Sequence, residues 1–246
     1  MQIAPEILAE QVMGYVVWAS ELIPTLKPAS KKTYSLAILP QGPHFYTGLL
    51  QAAGYLLLDS KKKKLIIVSQ QSDNSKDILI DTTRYGPIFG QTWENSPTKI
   101  KSFARDIDAK LVQPGQKSLI EYINFQLPFV RTITESKALF HISLGEKISQ
   151  RAIHRVATWM IANIQEYNIV LLSNIKLSKP AKSSKTDEQN KLAKIIKTYS
   201  PKTPLLTLFQ EILSAQKKKS EIIAYVNPGD FGKNWPLTTR YVCAVG

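Results

Sequence analysis

The sequence predicts an α/β fold: a single domain over residues 1–246, with a largely parallel central sheet and helices on both of its faces. Three observations carry this. Continuous apolar runs such as Leu65-Ile-Ile-Val-Ser69 and Leu139 to Leu144 read as strands buried on both sides, as strands of parallel sheets are. Stretches of helical spacing stand between such runs, which gives β-α-β alternation. A chain of 246 residues, 43% of them apolar, is also long enough to bury one sizeable core.

Residues 5–23 place Leu8, Val12, Val16, Ala19 and Ile23 at helical intervals, and Pro24 with Pro28 is expected to close that helix. Tyr34 to Leu39 is a strand ended by Pro40 and Gly42, and residues 46–58 return to a helical pattern. Leu65 to Ser69 is the second strand and Ile78 to Thr82 a third. Gly86-Pro87 and Gly90 mark residues 83–95 as loop. Helices are expected at 97–111 and 117–127, the second stopped by Pro128. Leu139 to Leu144 is a strand closed by Gly145. Ile148, Ala152, Val156, Met160 and Ile164 then repeat through a long amphipathic helix, and Asn168 to Ser173 is the next strand. Residues 176–192, rich in lysine and poor in apolar side chains, read as a mobile surface loop rather than a domain boundary. Helices at 187–198 and 204–215 and strands at 221–226 and 239–245 complete the pass.

The net charge of +13 comes chiefly from lysine, since only six of the 32 basic residues are Arg. Such a surface attracts polyanions. Specific phosphate and base readers favour the planar fork of Arg, however, and the runs Lys61 to Lys64 and Lys217 to Lys219 sit in connecting segments. Solvation of loops is the simpler reading. Cys243 stands alone, which excludes an intramolecular disulfide and a cysteine-based zinc site. No stretch has the composition of a signal peptide or a membrane span, so a cytoplasmic protein without membrane contact is expected.

No phosphate-binding glycine loop, dinucleotide fingerprint, nucleophile elbow or Cys/His metal spacing is present. Of the three histidines, His154 belongs to the polar face of a helix, and His141 lies inside a strand where a hydrogen-bonded structural role is expected. His44 follows a strand, where α/β proteins place function, and is the site candidate among the three. Asp106 and Asp108 read as part of a solvated helix face.

Several strings nevertheless resemble the Memo family. Leu39-Pro-Gln-Gly-Pro-His-Phe-Tyr-Thr-Gly48 with Ala52-Ala53-Gly-Tyr55 is similar to its Pro-His-Ala-Gly-Tyr strand end and the paired alanines beyond. Arg84-Tyr-Gly-Pro-Ile-Phe-Gly90 resembles Tyr-x-Thr-Pro-Leu-Gly, and Gln126-Leu-Pro-Phe129 matches the end of the family's Glu-His-Ser motif. Ile142-Ser-Leu-Gly145, Val170 to Asn174, Lys233-Asn-Trp235 and Arg240 to Gly246 follow in the family's order, so the resemblance covers nearly the whole chain.

It implies the fold shared with class III extradiol dioxygenases and a kinship with protein B of the AmmeMemoRadiSam system. By the same resemblance the partners would be a radical SAM protein and an AMMECR-type protein. The departures fall on the metal ligands. Gln41 stands where the first metal-binding His would be, Ser72 or Asp73 at the second, and Glu121 at the His of Glu-His-Ser. Asn174 and Leu177 stand at the Asp and His of the last motif. Amide, hydroxyl and aliphatic side chains supply weak donors or none for iron or zinc.

The expectation is therefore a non-catalytic protein without metal or cofactor that binds a small or anionic ligand or a protein in a degenerate cleft. Its candidate ligand-binding residues are Gln41, His44, Tyr46, Ser72, Asp73, Gln126 and Asn174. Two alternatives stay open: an enzyme with non-metal chemistry around His44, and a lysine-driven nucleic-acid binder.

Overall fold

The structure is a computed structural model that describes residues 5–26, 33–41, 44–71, 74–82, 93, 97–112, 123–173, 175–176, 203–226 and 239–246. Its strands are β1 (Leu36–Leu39), β2 (Lys64–Gln70), β3 (Ile78–Asp81), β4 (Lys110–Val112), β5 (Ala138–Leu144), β6 (Tyr167–Leu172), β7 (Ile175–Lys176), β8 (Glu221–Val226) and β9 (Thr239–Val245). Its helices are α1 (Pro5–Leu26), α2 (His44–Leu56), α3 (Pro97–Ile107), α4 (Leu127–Ile133), α5 (Gln150–Asn163) and α6 (Pro204–Ala215).

The strands form one sheet in the order β4-β3-β5-β2-β6-β1-β9-β7, and β8 takes the other edge of β9. Four neighbours at its centre, β5-β2-β6-β1, are parallel, as expected. Every residue of β1 and β6 is buried, as double coverage by helices requires. Outside this parallel centre the sheet is mixed, because β3 joins β5 and β9 joins β1 antiparallel. The connection 71–77 explains the first case. It is long enough to turn the chain around and too short for the crossover that a parallel strand needs.

From β1 to β2 the chain moves two places along the sheet, and from β5 to β6 it moves two places the opposite way. Right-handed crossovers in opposite directions put their helices on opposite faces. Accordingly α2 lies with α1 and α4 over one face, while α5 lies with α3 and α6 over the other.

Local chemistry sets the helix ends. Ser149 caps α5, its Oγ accepting from Ala152 N–H at 3.2 Å, and Thr203 caps α6 with Pro204 in the first turn. The helix expected over 97–111 stops at Ile107. Asp108 there turns left-handed (φ 56°), the Ala109 N–H closes on Ala104 O at 2.8 Å, and Lys110–Val112 become β4 beside β3. Of the helix expected over 117–127, the described part is Ile123 and Asn124, which is helical. A turn at Phe125 and Gln126 follows, and Pro128 opens α4, since a proline in the first turn loses no hydrogen bond. Pro24 lies inside α1, which continues to Leu26.

Gly48 lets α1 and α2 approach closely: a Cβ there would sit 2.5 Å from the Tyr15 ring. The segments 83–92, 94–96, 113–122 and 177–202 lie outside the described residues. They hold the expected 83–95 loop apart from Trp93, most of the 117–127 helix, the lysine-rich loop past Lys176 (which itself ends β7) and the 187–198 helix.

Candidate functional site

In open α/β sheets ligands sit outside the carboxyl ends of the parallel strands, where neighbouring connections leave toward opposite faces. Here β1 leads to α2 on one face and β5 to α5 on the other, so that crevice lies over β2 and β6 between them. The three strands β2, β6 and β1 are consecutive, and Leu39 pairs with Leu172 at their shared carboxyl edge. Gln41 is two residues beyond that point and partly buried. The expected Ser72 and Asp73 after β2 and Asn174 after β6 lie outside the described residues, as do Glu121 and Leu177. His44 and Tyr46 form the first turn of α2, and only their backbone is described.

Beneath this edge, on the α2 side, the sheet carries a group of buried polar side chains that the sequence left in the background. Alternation along β2 puts Leu65, Ile67 and Ser69 on that face, and along β5 it puts Leu139, His141 and Ser143 there. Both strands are apolar at their amino ends and polar at their carboxyl ends. The register sets Ser69 beside Ser143, and β3 continued one step past Ile80–Ile142 brings Asp81 opposite His141. Ser69, His141 and Ser143 are at most 2% exposed.

The contacts are specific. Ser69 Oγ lies 2.8 Å from His141 Nε2 and 3.3 Å from Ser143 Oγ. His141 Nδ1 stands 3.9 Å from Asp81 Oδ2, a charge-pair distance too long for a hydrogen bond, and has no hydrogen-bond partner. Gln71 seals the top of the group, its Nε2 donating to Ser143 O at 3.1 Å and Asp77 O at 3.4 Å. His141 is hydrogen-bonded inside its strand, in keeping with its sequence. Its partners come from β2 and β3, which no local spacing announces.

The other expected residues are placed differently. Gln126 is fully buried at the start of α4, where its Oε1 accepts from the Tyr55 hydroxyl at 3.1 Å and its Nε2 has no hydrogen-bond partner. It ties α4 to α2 through the interior. Burial pushes the Tyr55 phenol well above its usual pKa. His154 is exposed, as expected, and pairs with Glu211 at 3.1 Å. A cation that the sequence did not single out lies on the same side as the polar group: Arg131 of α4 stacks 4.5 Å over the Trp93 ring. Its Nε and Nη2 have no hydrogen-bond partner, and burial lowers its pKa.

For the iron or zinc that the Memo resemblance implies, these side chains do not fit. Gln41 offers an amide oxygen, and among the described residues no three His, Cys, Asp or Glu side chains converge on one point. Among the described residues no helix is long and apolar enough to cross a membrane.

No protein-family model matches the chain, and no curated protein matches it. Among solved structures, the crystal structure of the uncharacterized protein JW3007 from Escherichia coli K12 is similar. The match has a TM-score of 0.51 and 10% identity over 86% of this chain and 99% of that one. At that identity the likeness concerns the fold: a single α/β domain.

Proposed function

We propose that this chain is a metal-independent, Memo-like binding protein whose small or anionic ligand sits in the crevice at the carboxyl ends of β2 and β6. One observation carries the reading. The α2 side of the sheet turns from apolar to polar toward the carboxyl ends of β2 and β5, where Ser69, His141 and Ser143 are buried. His141 Nδ1, turned toward β3, has no hydrogen-bond partner, a cost of about 1–3 kcal/mol that calls for an explanation. The anionic preference is supported by the net charge of +13 and by the unfilled guanidinium donors of Arg131 on the same side. Absence of metal chemistry is supported by the donor set, in which Gln41 stands where the resemblance puts a ligand histidine.

The test is the metal content of the purified, tag-free protein by mass spectrometry, with melting followed in added iron, zinc and copper. Sub-stoichiometric metal and unshifted melting are expected. One metal held tightly per chain overturns the reading.

A further inference from the structure

We propose that Ser69, His141 and Asp81 form a serine acyl-transfer triad, an esterase-type activity that goes beyond ligand binding and rests on the crevice reading only for its entrance. The three side chains come from three neighbouring strands, β2, β5 and β3, and meet on one layer of the sheet. Ser69 Oγ is within hydrogen-bond reach of His141 Nε2 at 2.8 Å, the geometry of a nucleophile and its general base. With the other ring proton on Nδ1, directed at Asp81 Oδ2 3.9 Å away, Nε2 is left as the acceptor that a base must be. Closing that gap needs a shift of under about 1 Å to reach ordinary hydrogen-bond length.

A histidine kept only for packing would be expected to have both ring nitrogens satisfied. This one has one nitrogen on a hydroxyl and the other facing a carboxylate without bonding it. Ser69 is also the penultimate residue of β2, at the strand end where α/β enzymes place reacting groups. Such a triad is recognised by the roles its members play and not by their place in the sequence.

The reaction balances without a metal or redox partner. Ser69 Oγ adds to the carbonyl carbon of a carboxylic ester while its proton passes to His141 Nε2. The tetrahedral adduct collapses, the C–O bond to the alcohol breaks, and the leaving oxygen takes the proton from Nε2. Water then adds to the acyl-serine, gives a proton to Nε2, and releases the acid as Ser69 recovers its proton. Ester and water become acid and alcohol. Asp81 holds the imidazole in its tautomer and stabilises the cation formed in each half.

The test is covalent labelling of the full chain with a fluorophosphonate, read by intact mass and peptide mapping, beside hydrolysis of p-nitrophenyl acetate. Ser69 is only 1% exposed, so labelling is expected to be slow. One adduct at Ser69 is expected, absent in Ser69→Ala and slowed by about a hundredfold in His141→Gln. Asp81→Asn should slow it as well. Ser69→Cys provides a variant closer to the native shape. Its new thiol, beside His141 Nε2, should take iodoacetamide slowly and in a His141-dependent way, while the parent's lone Cys243, buried and without such a base, stays unmodified. An adduct elsewhere, a labelling rate indifferent to His141, or no adduct on protein with intact far-UV CD overturns the triad. A tightly held metal overturns the crevice reading instead, so the two failures are distinguishable.

Discussion

The two faces of the sheet are built to different rules. On the side of α3, α5 and α6, the buried strand side chains among the described residues are apolar: Leu36, Ile38, Ile66, Val68, Ile78, Ile80, Phe140, Ile142, Leu144, Tyr167, Ile169 and Leu171. Phe103, Phe140, Trp159 and Tyr167 stack there at centroid distances of 4.2–6.0 Å. The opposite side is apolar near the amino ends, Asn168 apart, and then admits Ser69, His141, Ser143 and Asp81. A fold that needed only stability would have little use for the second pattern, because apolar groups of the same size pack as well without orphan polar atoms. The first face holds the molecule together. The second gives up stability at one end, the end at which the proposed ligand would sit.

The sharpest way to break this comparison uses two neighbours on one strand that face opposite sides. Ile142→Ala should lower unfolding free energy by about 2–5 kcal/mol in urea titrations, whereas Ser143→Ala should cost about 1 kcal/mol or less. Equal losses would mean that the polar group is as much a part of the folding core as the aromatic stack.

Next in size is Gly54→Ala on the polar side. Its Cβ would sit 2.0 Å from Leu39 Cδ2, so overpacking of about 1–3 kcal/mol should appear as a lowered melting temperature.

Tyr55→Phe should cost about 1 kcal/mol at neutral pH by removing the hydroxyl from Gln126. It also has a pH signature. The folded phenol titrates above 10.0 and the unfolded one near it, so its contribution is complete below pH 10 and is lost as pH rises through the folded value. The variant should therefore lose less stability than the parent between neutral and strongly alkaline pH.

The smallest effect lies outside both faces. Lys217 ends α6 in the left-handed region (φ 53°), with the Lys218 N–H on Leu213 O at 3.0 Å, so Lys217→Gly should stabilise by about 0.5–1 kcal/mol. A loss of stability in thermal melts would mean that the lysine side chain contributes more there than its left-handed backbone costs.

Much of the fold was legible in the sequence. The helix expected at 204–215 matches α6 at both ends, with Thr203-Pro204 as a strong start signal, and β8 and β9 fall on the runs expected at 221–226 and 239–245. β4 escaped because three residues carry no periodicity, and Lys110 and Leu111 are both exposed there. Pro128 stands between the helical residues Ile123 and Asn124 and the body of α4, and as a first-turn residue it opens α4, a distinction the string Gln-Leu-Pro-Phe does not make. Gln126, singled out for the resemblance it carries, is an interior tie.

The polar group was hardest to see. Its members lie 12 and 60 residues apart along the chain (Ser69 to Asp81, Asp81 to His141) and meet only through sheet register. The available signal was the alternation itself: Leu65, Ile67, Ser69 and Gln71 against Leu139, His141 and Ser143, two strands that turn polar at the same end.

The seating of β9 against β1 has a consequence for how the chain comes to be folded. Ala37 and Ile38 pair in register with Val245 and Ala244, some two hundred residues further along the sequence. Until β9 is synthesised, that edge of β1 carries open N–H and C=O groups beside buried apolar side chains, the kind of edge that templates aggregation. Contacts of such long range also slow folding. The nascent chain is therefore most exposed to mispairing just before β9 arrives, and a shortened product lacking β9 would keep that exposure permanently.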